Sequence, residues 1–127
     1  MMAEPVTEAL VMEIEAAFNS RDVDRILSHF AEDGVFCTAR GPRKTGIELK
    51  GKAAIGAFLR ERFGYIPDML WNPHYRFVAG DHAVSYWNVT GTDARTGERL
   101  DLNGCDIFRF RDGKIVHKDT FWKQLEA

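Results

Sequence analysis

Apolar side chains recur every three or four residues from Val6 to about Asn19, through Leu10, Ile14, Ala17 and Phe18, and this spacing predicts an amphipathic helix. Asn19-Ser20-Arg21 interrupts the stripe, and Asp22 is placed to cap a second helix. That helix is expected to bury Val23, Ile26, Leu27 and Phe30 and to end near Asp33-Gly34. Val35 to Thr38 is short, apolar and β-branched, which predicts a strand. The run from Gly41 to Gly46 is a loop by its Gly and Pro content. Gly51-Lys52 opens a third helix with Ala54, Ile55, Phe58, Leu59 and Phe63 inward, and Gly64 is its expected stop. Beyond it the period changes to two. Strands are predicted at His74 to Ala79, Ala83 to Thr92, Arg99 to Phe110 and Lys114 to Lys123. Asp112-Gly113 marks a tight hairpin, because such turns need positive φ angles. Helices followed by consecutive hairpins predict an α+β layer fold, with the helices on one face of an antiparallel meander.

Composition narrows the picture. A chain of 127 residues is one ordinary domain, spanning 1–127, and 45% apolar content supports a sizeable core. A net charge of −2 with mixed signs offers no basic face, so nucleic-acid partners are not expected. Glu4, Pro5 and Glu8 replace the basic and apolar regions of a secretory signal, and no apolar run is long enough to span a bilayer. Cys37 and Cys105 stand far apart without metal-ligand spacing; the sequence leaves a disulfide between them open, and two reduced thiols are the expected reading, in agreement with a cytoplasmic location. No metal and no cofactor are expected. Met1, Met2, Met12 and Met69 form no stripe.

The segment Leu100 to Phe110 carries the clearest chemical signal. One parity reads Leu100, Leu102, Gly104, Asp106, Phe108 and Phe110, placing a single carboxylate on an otherwise apolar inward face. A lone buried carboxylate is costly unless paired or protonated, so Asp106 is the first candidate for function; holding a neighbouring polar group is the structural alternative. In the last strand, Val116, Lys118, Thr120 and Trp122 alternate with Ile115, His117, Asp119 and Phe121, and the two faces are nearly equal in apolar content. Facing inward, Lys118 lies across the hairpin from Asp106 and pairs with it; facing the rim, it extends its stem to solvent. Of Tyr86 and Trp87 one points in and the other out. His29 and His74 have no partner that suggests a relay. Phosphate loops, nucleophile elbows and paired-cysteine metal sites are all absent from the sequence.

The stretch Asn103 to Val116 resembles the last hairpin of NTF2-like and SnoaL-like proteins. Asn19-Ser20-Arg21-Asp22, Phe30-Ala31-Glu32-Asp33, Gly51-Lys52-Ala53-Ala54-Ile55 and Trp87 with Thr90-Gly91-Thr92 fit the same resemblance, which covers nearly the whole chain. It implies a cystatin-like cone, three N-terminal helices packed on a curved antiparallel sheet around one apolar pocket. The family holds ketosteroid isomerases, polyketide cyclases, dehydratases and non-enzymatic assembly factors, so the fold does not choose a reaction. Asp106 matches the oxyanion-stabilising aspartic acid of the isomerases and the acid–base aspartate of the cyclases. The isomerase base falls at Thr38 and its tyrosine at Ile14, so that mechanism lacks its main parts. The cyclase histidine falls near Asp93.

The expectation is therefore a pocket protein for a small apolar ligand with one polar handle, with Asp106 and Lys118 as the acid–base residues. Trp87, Phe108, Trp122, Phe18, Phe58 and Thr38 are expected to line the pocket. Any reaction would be cofactor-free isomerase or lyase chemistry. A homodimer through the sheet is expected, by way of outward Ile107, Phe121 and Tyr86, and the alternative function is a non-catalytic ligand-binding or assembly module built on that dimer.

Overall fold

The computed structural model describes residues 5–126; Met1, Met2 and Glu4 lie outside the described residues. Helix α1 (Glu8–Ser20) starts where the Thr7 hydroxyl accepts the Leu10 N–H at 3.1 Å, and it buries Val11, Ile14, Ala17 and Phe18. Arg21 ends it in the left-handed region at φ 56°. Asn19 then fastens the helix end to the sheet, donating to the Trp71 carbonyl and accepting the Trp71 N–H, both at 2.8 Å.

Asp22 caps α2 (Val23–Leu27), as its position predicted, but this helix is five residues long. Phe30 does not close α2; it opens strand β1 (Phe30–Cys37). The cause is tertiary: β1 runs parallel to the last strand, with Phe30 opposite Ile115 and Cys37 opposite Asp119. The register shifts between Phe30 and Val35. A Cβ at Gly34, inside that irregularity, would stand 2.9 Å from the Ile115 carbonyl oxygen. The wholly antiparallel sheet expected from the meander is thus corrected by one parallel pair.

A three-residue strand β2 (Glu48–Lys50) lines the edge of β1, and α3 (Lys52–Tyr65) runs one residue past Gly64. The meander follows as β3 (Leu70–Ala79), β4 (His82–Thr92), β5 (Arg99–Arg111) and β6 (Lys114–Trp122). The sheet order is β2-β1-β6-β5-β4-β3. Strand β3 begins four residues before the predicted His74, because an edge strand admits Pro73, at which its register shifts.

Along β4 and β5 burial alternates with the pleat, placing Ala83, Ser85, Trp87, Val89, Leu102, Asp106, Phe108 and Phe110 under the helices. Of these, Ala83, Phe108 and Phe110 pack with Val11, Ile14, Phe18, Ile26, Ile55 and Leu59 into the main core. A second cluster joins Ile66, Met69, Trp87, Val89 and Leu102. The opposite sheet face leaves Tyr75, Phe77, Ile107 and Phe121 exposed. Tyr86 also lies on that face but is half-buried, with His74 and Tyr75 against its ring.

Candidate functional site

Four buried polar side chains from three adjacent strands converge beneath α1. Antiparallel pairing sets Asp106 of β5 opposite Thr120 of β6, and Lys118 precedes Thr120 by one inward position. Lys118 Nζ lies 2.9 Å from Asp106 Oδ1, with side chains only 5% and 9% exposed. Lys118 also donates to Thr120 Oγ1 at 2.7 Å, and Thr120 donates to Asp106 Oδ1 at 2.6 Å. The second carboxylate oxygen accepts Trp87 Nε1–H at 3.1 Å. A Cβ at position 104 would stand 2.8 Å from the Trp87 ring, so Gly104 is what lets that indole lie over β5 and reach Asp106.

The Lys118 stem runs between aromatic walls, its Nζ 3.8 Å from the Phe36 ring centroid and 5.0 Å from that of Phe18. Burial pushes the ammonium below its ordinary pKa, and the neighbouring Asp106 charge opposes that shift. The arrangement can hold a positive donor in a dry setting, or pass a proton between amine and carboxylate.

The expected single pocket around this pair is divided. Two voids of about 20 Å³ each border Lys118. One is lined in addition by Trp87, Asp106 and Phe108, the other by Phe36, Thr38, Phe58 and Trp122, and Phe18 and Trp71 border both. Each is room for about one water molecule. An outer pocket of about 300 Å³ opens at one end, between α3, the β4–β5 hairpin and the 40–47 loop. Phe58, Arg62 and Trp122 line the outer pocket as well as the second void, so these side chains form the partition. A larger hollow of about 660 Å³, between the 38–46 loop and residues 119–125, borders neither Asp106 nor Lys118.

Asp106, Lys118, Trp87, Phe108, Trp122, Phe18, Phe58 and Thr38, the residues expected at the site, all border the interior, but their roles differ. Asp106, Lys118 and Trp87 form the polar cluster; Phe18 and Phe108 wall it; Phe58 and Trp122 stand at the partition. Thr38 is buried, yet its hydroxyl is committed to the adjacent loop, donating to the Arg40 carbonyl at 2.7 Å and accepting Ile47 N–H at 2.9 Å. Asp93, where the resemblance put a cyclase histidine, is bound by Arg95 at 2.8 Å, which holds its carboxyl below the usual range. His29 pairs with Glu13 at 2.9 Å.

Sequence reasoning missed two groups. Glu15, its side chain 10% exposed, accepts Ser85 Oγ–H at 2.6 Å and Arg76 Nε–H at 2.9 Å beside the first void. Arg62 rests on Phe58, four residues earlier on α3, with its guanidinium 4.8 Å from that ring. In both cases a charge on the apolar stripe of a helix was the available signal. Among the described residues, no group of three or more His, Cys, Asp or Glu is placed to hold a metal ion, and no helix is long and apolar enough to cross a membrane.

Residues 11–118 match the SnoaL-like domain, so this chain belongs to the SnoaL-like family. Solved structures give the same fold. An NTF2-like protein of Burkholderia pseudomallei is 23% identical, with a TM-score of 0.79 over 91% of this chain and 88% of that one. TerC, co-crystallised with polyporic acid, is 24% identical, with a TM-score of 0.76 over 91% and 89%. A Catenulispora acidiphila protein of ketosteroid isomerase-like fold, in complex with trimethylamine, is 18% identical, with a TM-score of 0.80 over 93% and 88%. Identities this low establish the fold alone. No curated protein matches the chain.

Proposed function

We propose that the protein binds a small, mostly apolar molecule through its outer pocket and presents the molecule's polar group to Lys118. One observation carries this reading: a lysine whose side chain is 5% exposed, braced by Asp106 and Thr120 and bordering both interior voids. A charge kept in such a place is costly, and orienting a ligand oxygen is a use that justifies it. The ligand's body occupies the outer pocket, and displacement of Arg62 joins that space to the interior. Where turnover follows, it is cofactor-free proton transfer beside a carbonyl, with Asp106 and Lys118 exchanging the proton and Trp87, Phe108 and Trp122 excluding water. Free Cys37 and Cys105 agree with a cytoplasmic setting.

2-Naphthol tests the reading by calorimetric titration, since it offers a bicyclic body and one hydroxyl. The wild type is expected to bind it, and Lys118→Met to bind at least about tenfold more weakly, the equivalent of one hydrogen bond to a charged group. No binding up to the solubility limit sinks the proposal.

A second reading has its own support. The interior is nearly filled, and Tyr75, Phe77, Ile107 and Phe121 expose apolar surface on the outer sheet face. A non-catalytic module that dimerises through this face accounts for both. A monomer in sedimentation at micromolar concentration removes it.

A further inference from the structure

The outer pocket contains an electrostatic anomaly. Arg25, Arg60, Arg76, Arg95, Arg99 and Arg111 each face a carboxylate within 4.0 Å, Arg21 donates to the Asn19 and Met69 carbonyls, and Arg43 and Arg109 are exposed to solvent. Arg62 is half-buried, yet no carboxylate stands that close to it among the described residues. Its guanidinium lies 4.8 Å from the Phe58 ring centroid and 5.5 Å from that of Trp122, and its Nε–H donates only to the Tyr65 hydroxyl, at 3.3 Å. Arg40, exposed on the 40–47 loop, reaches the same indole at 5.1 Å and has no carboxylate partner among the described residues either. Two unpaired guanidinium groups thus share one aromatic floor. That floor carries a further donor, the buried Trp122 Nε1–H, which has no acceptor in the described residues.

The acidic residues of the pocket do not answer these cations. Asp93 is engaged by Arg95, which itself stacks 3.5 Å from the Tyr65 ring centroid. Glu98 is exposed at the rim. The remaining walls, Ile66, Leu100 and Phe58, are apolar, and about 300 Å³ lies at the lower end of volumes that hold small ligands. Guanidinium forks match the planar geometry of a carboxylate.

From this we infer that the outer pocket is a receptor for a compact aromatic or alicyclic carboxylic acid, its carboxylate held between Arg40 and Arg62, its ring laid on Trp122 and a second oxygen substituent being the polar group offered to Lys118. The inference names the ligand class of the pocket proposed above and rests on that reading. Engagement of Arg62 by the carboxylate draws the guanidinium off the partition, which is the movement that opens a way toward Lys118.

The experiment compares 2-naphthoate with 2-naphthamide, which has the same shape without charge, by calorimetric titration of the full chain. Wild type is expected to prefer the carboxylate at least about tenfold, as charge-assisted hydrogen bonds allow. In Arg40→Gln/Arg62→Gln the preference is expected to fall below about twofold, with amide affinity retained; Arg62→Lys restores part of it. Equal affinities in wild type, or a preference that survives in the double variant, overturn the inference. Binding of 2-naphthol without any 2-naphthoate binding also overturns it, while leaving the pocket reading intact. If 2-naphthol, the acid and the amide all fail to bind, both fall.

Discussion

Inside the fold, Asp106 accepts three donors and Lys118 faces its counter-charge at 2.9 Å. In the outer pocket, some side chains away, Arg40 and Arg62 lie on Trp122 with no counter-charge among the described residues. The first arrangement is complete without a ligand; the second is not. The physical reason is solvent. A buried ion without partners is prohibitively costly, so the chain supplies them, whereas a half-exposed guanidinium is supported by water until an anion replaces it. On the readings proposed above, the interior pair is held ready by its own partners and the outer pair awaits an anion, and Arg62, which with Phe58 and Trp122 borders both spaces, is the charged residue between them.

The largest predicted effect breaks the interior arrangement. Asp106→Leu strands the Lys118 ammonium, the Thr120 hydroxyl and the Trp87 N–H together, and is expected to cost about 3–5 kcal/mol in urea unfolding. A loss under about 1 kcal/mol would mean that the pair is more hydrated than its burial implies. A smaller effect follows from the lowered pKa of Lys118. Its native value lies below the unfolded value of about 10.4, so between the two the unfolded chain holds more protons, and this residue's contribution to stability rises with pH up to the unfolded value. Lys118→Met should remove the rise, and an unchanged profile contradicts the assignment. The smallest effect belongs to the outer pocket: Arg62→Gln, which strands nothing, should alter stability by no more than about 0.5 kcal/mol.

How far the sequence foretold this depends on where each residue sits. Asp106 was visible because β5 alternates cleanly, and a carboxylate on an apolar parity is conspicuous. The turn at Asp112-Gly113 was equally plain and has φ angles of 52° and 74°. The facing of β6 was ambiguous because Ile115 and Val116 are both buried, next to the register shift between Arg109 and Phe110. Phe30 was misplaced because its spacing from Ile26 and Leu27 suits a helix, and only pairing with Ile115 makes it a strand residue. Pro73 hid the start of β3, since a proline argues against a strand until the strand is known to be an edge. Arg40 and Arg62 carried no usable signal for a joint role. Their meeting depends on where the 40–47 loop and Trp122 come to rest, and on long side chains whose direction local pattern does not set.

The central claim is that the buried polar cluster is retained for a ligand and not for stability. The most direct test is Asp106→Leu/Lys118→Met/Thr120→Val, measured for both urea stability and 2-naphthol binding. Apolar replacement of a whole buried ion pair is often neutral or stabilising, whereas removal of one partner is not. The account predicts that the triple variant loses less than half of what Asp106→Leu loses, while binding 2-naphthol at least about tenfold more weakly than wild type. A triple variant as unstable as the single one, or one that keeps full affinity, would show that the cluster serves the fold alone.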